Sequence, residues 1–119
     1  MGVIGIPEVY WYGIEFDYQL LVMQLLGPSL AQLYNYCDRW FTVETIKKIG
    51  EQMLLRLRSL HSRGYVHRDL KPENFLMGID EDEETCYLID FGLARCYRYT
   101  TATTILRTSV ASSCFLIFR

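Results

Sequence analysis

The strongest pattern along the chain is a helical one. Val43, Ile46, Ile49, Met53, Leu57 and Leu60 recur every three or four residues, with Lys47, Lys48, Glu51 and Arg58 between them, which predicts an amphipathic helix. Thr42 stands where an N-cap is needed, Glu44 suits the positive end of the helix dipole, Arg63 suits its negative end, and Gly64 is placed to stop it. Upstream, Val9 to Ile14 and Tyr18 to Met23 are rich in Val, Tyr, Trp and Ile and are separated by Glu15-Phe16-Asp17, so they read as a β-hairpin. Ser29 followed by Gln32 fits a capping box and starts a short helix that ends near Cys37. Downstream, Phe75 to Met77 and Cys86 to Ile89 read as strands joined by the acidic turn from Gly78 to Glu84. That turn lacks the alternating ligands and mid-loop Gly of a calcium-binding loop, so it reads as a solvated hairpin tip.

Between the long helix and the first of these strands, residues 67–74 run His-Arg-Asp-Leu-Lys-Pro-Glu-Asn, and Asp90-Phe91-Gly92 follows Tyr87-Leu88-Ile89. In this order the two blocks form the catalytic signature of protein kinases. Phosphoryl transfer from ATP asks for oxygen ligands to Mg²⁺ and a carboxylate beside the attacking hydroxyl. Asp69 would orient that hydroxyl and accept its proton, and Lys71 would neutralise charge developing on the γ-phosphate. Asn74 and Asp90 would hold Mg²⁺. A Lys at position 71 favours Ser or Thr over Tyr as acceptor. Any one of these residues alone would read as a solvated loop residue; the ordered conjunction decides against that. His67, Arg68 and Pro72 are expected to shape the loop rather than touch substrate, Pro72 by fixing φ.

Gly5-Ile6-Pro7, Val22 through Leu30, His67 through Gly78 and Ile89 through Arg95 together resemble the casein kinase I family of serine/threonine kinases. Leu25-Leu26-Gly27-Pro28-Ser29-Leu30 and Asn74-Phe75-Leu76-Met77-Gly78 are the discriminating pieces, and the resemblance runs from about Gly5 to about Arg98. It implies an α+β fragment of the two-lobed kinase fold. Residues 1–26 would be a remnant of the small lobe and hinge, 27–98 the first half of the large lobe, and 99–119 a divergent tail. It also implies that Met23 lies behind the adenine, that Gln24, Leu25 and Leu26 form the hinge, and that Leu76 is the floor under the base. Ser29 and Gln32 would face the ribose; the family carries an acidic residue where Gln32 stands, and often Glu where Gln24 stands. ATP and Mg²⁺ are the implied cofactors, and protein Ser/Thr residues the implied acceptors.

Other expected kinase parts are not in the sequence. No Gly-x-Gly-x-x-Gly spacing occurs, residues 1–38 contain neither Lys nor Arg, and the first Lys is Lys47 in the long helix. From Thr100 to Arg119 there is no acidic residue, Gly or Pro. This junction reads as a frameshift, a retained intron or an alternative exon. At 119 residues the chain has the length of one small domain, so the expectation is a truncated chain, inactive alone, whose exposed apolar surface attracts chaperones. A noncatalytic kinase-like binding protein and a nonfunctional degenerate product are the alternatives.

Net charge is −2 and the pI about 5.6, which gives no basic field for nucleic acid or anionic lipid. The four cysteines show no Cys-x-x-Cys spacing, which suits a reducing, intracellular and cytoplasmic setting, with the nucleus open. No apolar run reaches membrane-spanning length. Met1-Gly2 would suit myristoylation, but Ile6 stands where Ser or Thr is wanted. The native product, enriched through an antibody to the hinge and catalytic loop, is expected to have an intact mass well above 14.0 kDa, with peptides holding a Gly-rich loop and a strand Lys. A 14.0 kDa product ending in Phe118-Arg119 would overturn that expectation.

Overall fold

The computed structural model describes residues 3–97. Two strands come first, β1 (Val9–Glu15) and β2 (Tyr18–Met23), then helices α1 (Leu30–Tyr36) and α2 (Val43–Ser62). The short strands β3 (Tyr65–Val66), β4 (Phe75–Met77), β5 (Cys86–Leu88) and β6 (Arg95–Cys96) follow. This is the α+β arrangement that the pattern predicts. The tail placed at 99–119 lies outside the described residues.

The hairpin forms where alternation and β-branched residues place it, with Glu15 opposite Tyr18, Gly13 opposite Leu20 and Trp11 opposite Val22. Its turn is the two residues Phe16 and Asp17, both at positive φ (49° and 66°), as a type I′ turn requires. Ser29 caps α1 reciprocally: its Oγ accepts from the Gln32 N–H at 3.2 Å, and its own N–H donates to Gln32 Oε1 at 2.8 Å. Thr42 caps α2 by accepting from the Thr45 N–H at 3.1 Å. Gly64, at φ 83°, ends α2 in the left-handed conformation that glycine adopts freely. Arg63 Nη1 donates to the last-turn carbonyl of Ser59 at 2.8 Å.

The core is Ile6, Leu30, Leu60, Phe75, Cys86 and Leu88, with Ile49, Met53 and Leu57 packed against it. Met53, Leu57 and Leu60 of the predicted helix face are thus part of this core or packed on it. The β4–β5 hairpin covers them, and the apolar residues left in water are Leu54 and Leu55, with Val43 and Ile46. The cause is two polar residues on the inward face. Ile49, Met53, Arg56 and Leu60 follow helical spacing, so α2 is rotated to bury Arg56, which is only 6% exposed.

Arg56 Nε donates to the Cys86 carbonyl at 2.8 Å and Nη2 to Gln52 Oε1 at 3.0 Å. Gln52 Oε1 also accepts from the Cys86 N–H at 2.8 Å, and Gln52 Nε2 donates to the Glu84 carbonyl at 2.8 Å. These two side chains act as a substitute strand along β5. Gly5 closes the arrangement from above: its carbonyl accepts from the Leu88 N–H at 2.8 Å, and a Cβ there would collide with the Arg56 guanidinium. Burial pushes the Cys86 thiol up to about 11, so it packs as an unreactive apolar group.

β4 pairs antiparallel with β5, and β3 with β6. The second pairing was not expected, because two-residue strands are too short to show alternation. The acidic turn is exposed, as expected of a solvated tip, and holds a 3₁₀ turn at Asp80–Asp82. Among the described residues no helix is long and apolar enough to cross a membrane.

Gly5 is at φ 75°, so Gly5→Ala is expected to cost about 1–2 kcal/mol from the backbone conformation alone, and more from displacing Arg56. Urea denaturation of the two chains would measure this, and equal midpoints would show that the Gly5 contact is not constraining.

Candidate active site

The catalytic loop leaves β3, and its first residue is its anchor. His67 is 1% exposed. The Ile89 carbonyl lies 2.9 Å from Nε2 and can only accept, while Nδ1 accepts from the Asp69 N–H at 3.3 Å. The ring is therefore the Nε2–H tautomer, tying the loop to the end of β5. Phe91 meets His67 edge-on, with ring centroids 5.1 Å apart. Arg68, at φ 70°, sends Nε to the Leu93 carbonyl at 2.7 Å. Both residues thus shape the loop. Pro72 opens a 3₁₀ turn ending at Asn74, where its fixed φ and missing N–H cost nothing.

That turn brings Asp69, Lys71 and Asn74 together. Lys71 Nζ donates to Asp69 Oδ2 at 2.7 Å, and Asn74 Nδ2 donates to the same oxygen at 3.1 Å and to the Asp69 carbonyl at 2.8 Å. The bond from Lys71, with help from Asn74, holds the Asp69 carboxyl below the usual carboxylate range. Lys71 is raised in return, chiefly by Asp69 and further by Asp90 and Glu73. Asn74 is 4% exposed and its carbonyl accepts from the Ile89 N–H at 3.0 Å. Ile89 is thus bonded on one side to the catalytic loop and on the other to His67, and Asp90 follows at φ 59° with Oδ1 accepting from the Gly92 N–H at 3.3 Å.

The proposed nucleotide residues lie on the other side of β4. Met23 ends β2 opposite Val9. The Gln24 N–H donates to the Glu8 carbonyl at 2.7 Å, its Oε1 accepts from the Glu8 N–H at 3.3 Å, and its Nε2 reaches the Tyr87 hydroxyl at 3.2 Å. Leu26 is half-buried. The Gly27 N–H donates to the Met77 carbonyl at 2.8 Å, the Met77 N–H to the Pro28 carbonyl at 3.0 Å, and Ser29 bridges Leu76. Gly27 is needed here, since a Cβ would lie 2.9 Å from the Gly78 carbonyl oxygen. The segment that follows the expected hinge is therefore paired with the strand that holds Leu76, the expected floor residue. Ser29 and Gln32, the residues expected to face the ribose, are drawn into the cap of α1, where Ser29 Oγ and Gln32 Oε1 both accept backbone bonds.

A family model described as the protein kinase domain matches residues 5–116. The chain belongs to the protein kinase domain family. The match continues past Arg98, where the resemblance to casein kinase I stops. Protein kinases transfer a phosphoryl group to proteins and in general use ATP and Mg²⁺. The residues expected to hold Mg²⁺, Asn74 and Asp90, both carry side-chain oxygen, the donor type that such a cation takes. Such a set suits a cation shared with phosphate oxygens. Three residues of the site were missed from sequence, Gln52, Arg56 and Tyr87. A Gln and an Arg four apart on the apolar side of a helix are the signal for the first two; Tyr87 gives none beyond its place in the strand.

The Asp69 carboxyl is lower folded than unfolded, so its contribution to stability is present above about pH 4 and is lost as pH falls through the folded value. The contribution of Lys71, raised in the fold, is present below about pH 10 and is lost as pH rises through its folded value. Lys71→Met is expected to move the Asp69 titration upward, followed by NMR of the side-chain carboxyl carbon. An unmoved midpoint would show that Lys71 does not hold it.

Proposed function

We propose that this sequence belongs to a casein kinase I-like serine/threonine protein kinase, with Asp69 and Lys71 acting on the substrate and γ-phosphate. Asn74 and Asp90 are the Mg²⁺ ligands, and Met23, Gln24, Leu26 and Leu76 surround the adenine. The observation that carries this reading is the Asp69 carboxylate held by Lys71 at 2.7 Å and Asn74 at 3.1 Å. It supports a fixed acceptor for a hydroxyl proton beside a fixed cation. Bound Mg²⁺ would neutralise phosphate charge in the transition state. A carboxylate held below its ordinary range is a weak base, so Asp69 chiefly aligns the hydroxyl and takes its proton late. Lys71, bonded to the same oxygen, would neutralise charge developing on the transferred phosphate.

The assignment to casein kinase I is supported by the way its discriminating segments meet. Gly27-Pro28-Ser29 pairs directly with Leu76-Met77, so the two motifs are one structural unit. Gly27 and Gly78 sit where side chains would not fit: a Cβ at Gly78 would strike the Asp82 backbone. The acceptors are Ser and Thr residues of proteins, the location is intracellular, and the exposed Leu54 and Leu55 are the surface a chaperone would take.

Enriched from its source, the native product is expected to phosphorylate Ser and Thr in a protein substrate in the presence of Mg²⁺ and ATP. Asp69→Asn is expected to lower kcat by about 10²–10⁴-fold. Phosphate appearing on Tyr alone, or transfer indifferent to Asp69→Asn, would overturn the reading.

A further inference from the structure

Gln24 follows the last residue of β2, and its side-chain amide is bonded at both ends. The Glu8 N–H can only donate, so the Gln24 atom 3.3 Å from it is the carbonyl oxygen Oε1. The other end is then Nε2, which donates to the Tyr87 hydroxyl at 3.2 Å. The backbone of Gln24 is fixed in the same place, its N–H donating to the Glu8 carbonyl at 2.7 Å. Glu8 and Gln24 thus form a closed pair, and the bond to Tyr87 joins that pair to β5.

Tyr87 is well placed to hold that pair. It is the middle residue of β5 and is buried. Its neighbours along the strand are fixed, Cys86 by Gln52 and Arg56 and Leu88 by Gly5. Its cross-strand partner is Leu76, and directly opposed residues of an antiparallel pair share a face of the sheet. A hydroxyl on a ring locked by packing holds whatever it bonds in one position. The Tyr87 hydroxyl therefore stands between Gln24, Leu76 and the strand that leads to Asp90, three parts that nucleotide binding asks to be in register.

We propose that Tyr87 is a positioning residue for nucleotide binding, its hydroxyl fixing Gln24, and with it the segment after β2, against the strand that ends at Asp90. This rests on the reading that sets Gln24 against the adenine. Without the hydroxyl, Gln24 is tied to Glu8 alone, and a segment held by fewer bonds opens at lower free energy. The effect falls on binding of the nucleotide more than on transfer. Asp69, Lys71 and Asn74 are bonded to one another and to Ile89, and none of those bonds passes through Tyr87 or Gln24.

The ATP dependence of phosphoryl transfer by the native product tests it. Tyr87→Phe keeps the buried ring and removes only the hydroxyl; it is expected to raise the KM for ATP about three- to tenfold, the loss of one hydrogen bond, with a smaller change in kcat. Gln24→Leu is expected to raise the KM at least as much, and adding Tyr87→Phe to it to raise the KM no further, because the hydroxyl then has nothing to act through. A KM raised by Gln24→Leu but unmoved by Tyr87→Phe would overturn the proposal and leave the placement of Gln24 standing, whereas a KM unmoved by either would overturn both. Fully additive effects, or a loss in kcat as large as the rise in KM, would also overturn it. A second measurement needs no variant: with ADP and Mg²⁺ bound, nuclear Overhauser contacts are expected between the Gln24 side-chain amide protons and the Tyr87 ring. Their absence would show that the bond is not kept in the nucleotide complex and would overturn the proposal.

Discussion

A strand with one neighbour leaves half of its backbone groups unpaired, and in the interior each such group costs about 1–3 kcal/mol. β5 is in that position: β4 lies on one side and the core on the other. The chain meets the constraint without a third strand. Gln52 and Arg56 reach from α2 to Cys86, and Gly5 takes the Leu88 N–H. The apolar packing of Phe75, Leu88 and Leu60 depends on this, because α2 has to present two polar side chains inward before it can present the aliphatic ones.

The same strand aims the chemistry. Cys86 and Leu88 are held from α2 and from Gly5, and Ile89 from Asn74 and His67, so Asp90 leaves a backbone fixed at residues 86, 88 and 89. Asn74 has a double part. Its carbonyl holds Ile89 while its amide holds Asp69, so displacing one proposed cation ligand disturbs the proposed base and the strand leading to the other ligand. Neither Asp69 nor Lys71 is deeply buried. Their order comes from one short charged contact and from the bonds of Asn74, in a loop whose buried side chains are His67 and Asn74.

Much of this was legible in the sequence because it rests on local rules. The capping box at Ser29 and Gln32, the N-cap at Thr42, the stop at Gly64 and the hairpin at residues 9–23 each depend on residues a few positions apart. The catalytic loop was legible as a motif, and its local geometry follows from Pro72 and the short spacing from Asp69 to Asn74. What was not legible needed partners far along the chain. Arg56 looks like a surface residue until Cys86, thirty residues later, supplies a carbonyl, and Gly5 looks like part of a loop until Arg56 occupies the space beside it. Of the predicted face of α2, Ile49, Met53, Leu57 and Leu60 pack on the core while Val43 and Ile46 stand in water; a count of aliphatic positions cannot see that an Arg with bonded nitrogens belongs with the buried four.

The hairpin and the catalytic part are held by different means, and this bears on how the chain behaves as a whole. Residues 65–97 and α2 close on one another through buried hydrogen bonds and a shared core, whereas β1 and β2 bond mainly to each other. Gln24 is the principal side-chain link between them, through Glu8 and Tyr87. A segment with exposed backbone bonds and little buried apolar area opens at lower free energy than the core, so the order of the hairpin depends on that link. Met23 and Gln24 stand at the base of that hairpin and are also the residues set against the adenine in the proposed function. The bonds that hold Asp69, Lys71 and Asn74 run instead within the catalytic loop and from it to Ile89, at the end of β5 and beside Asp90.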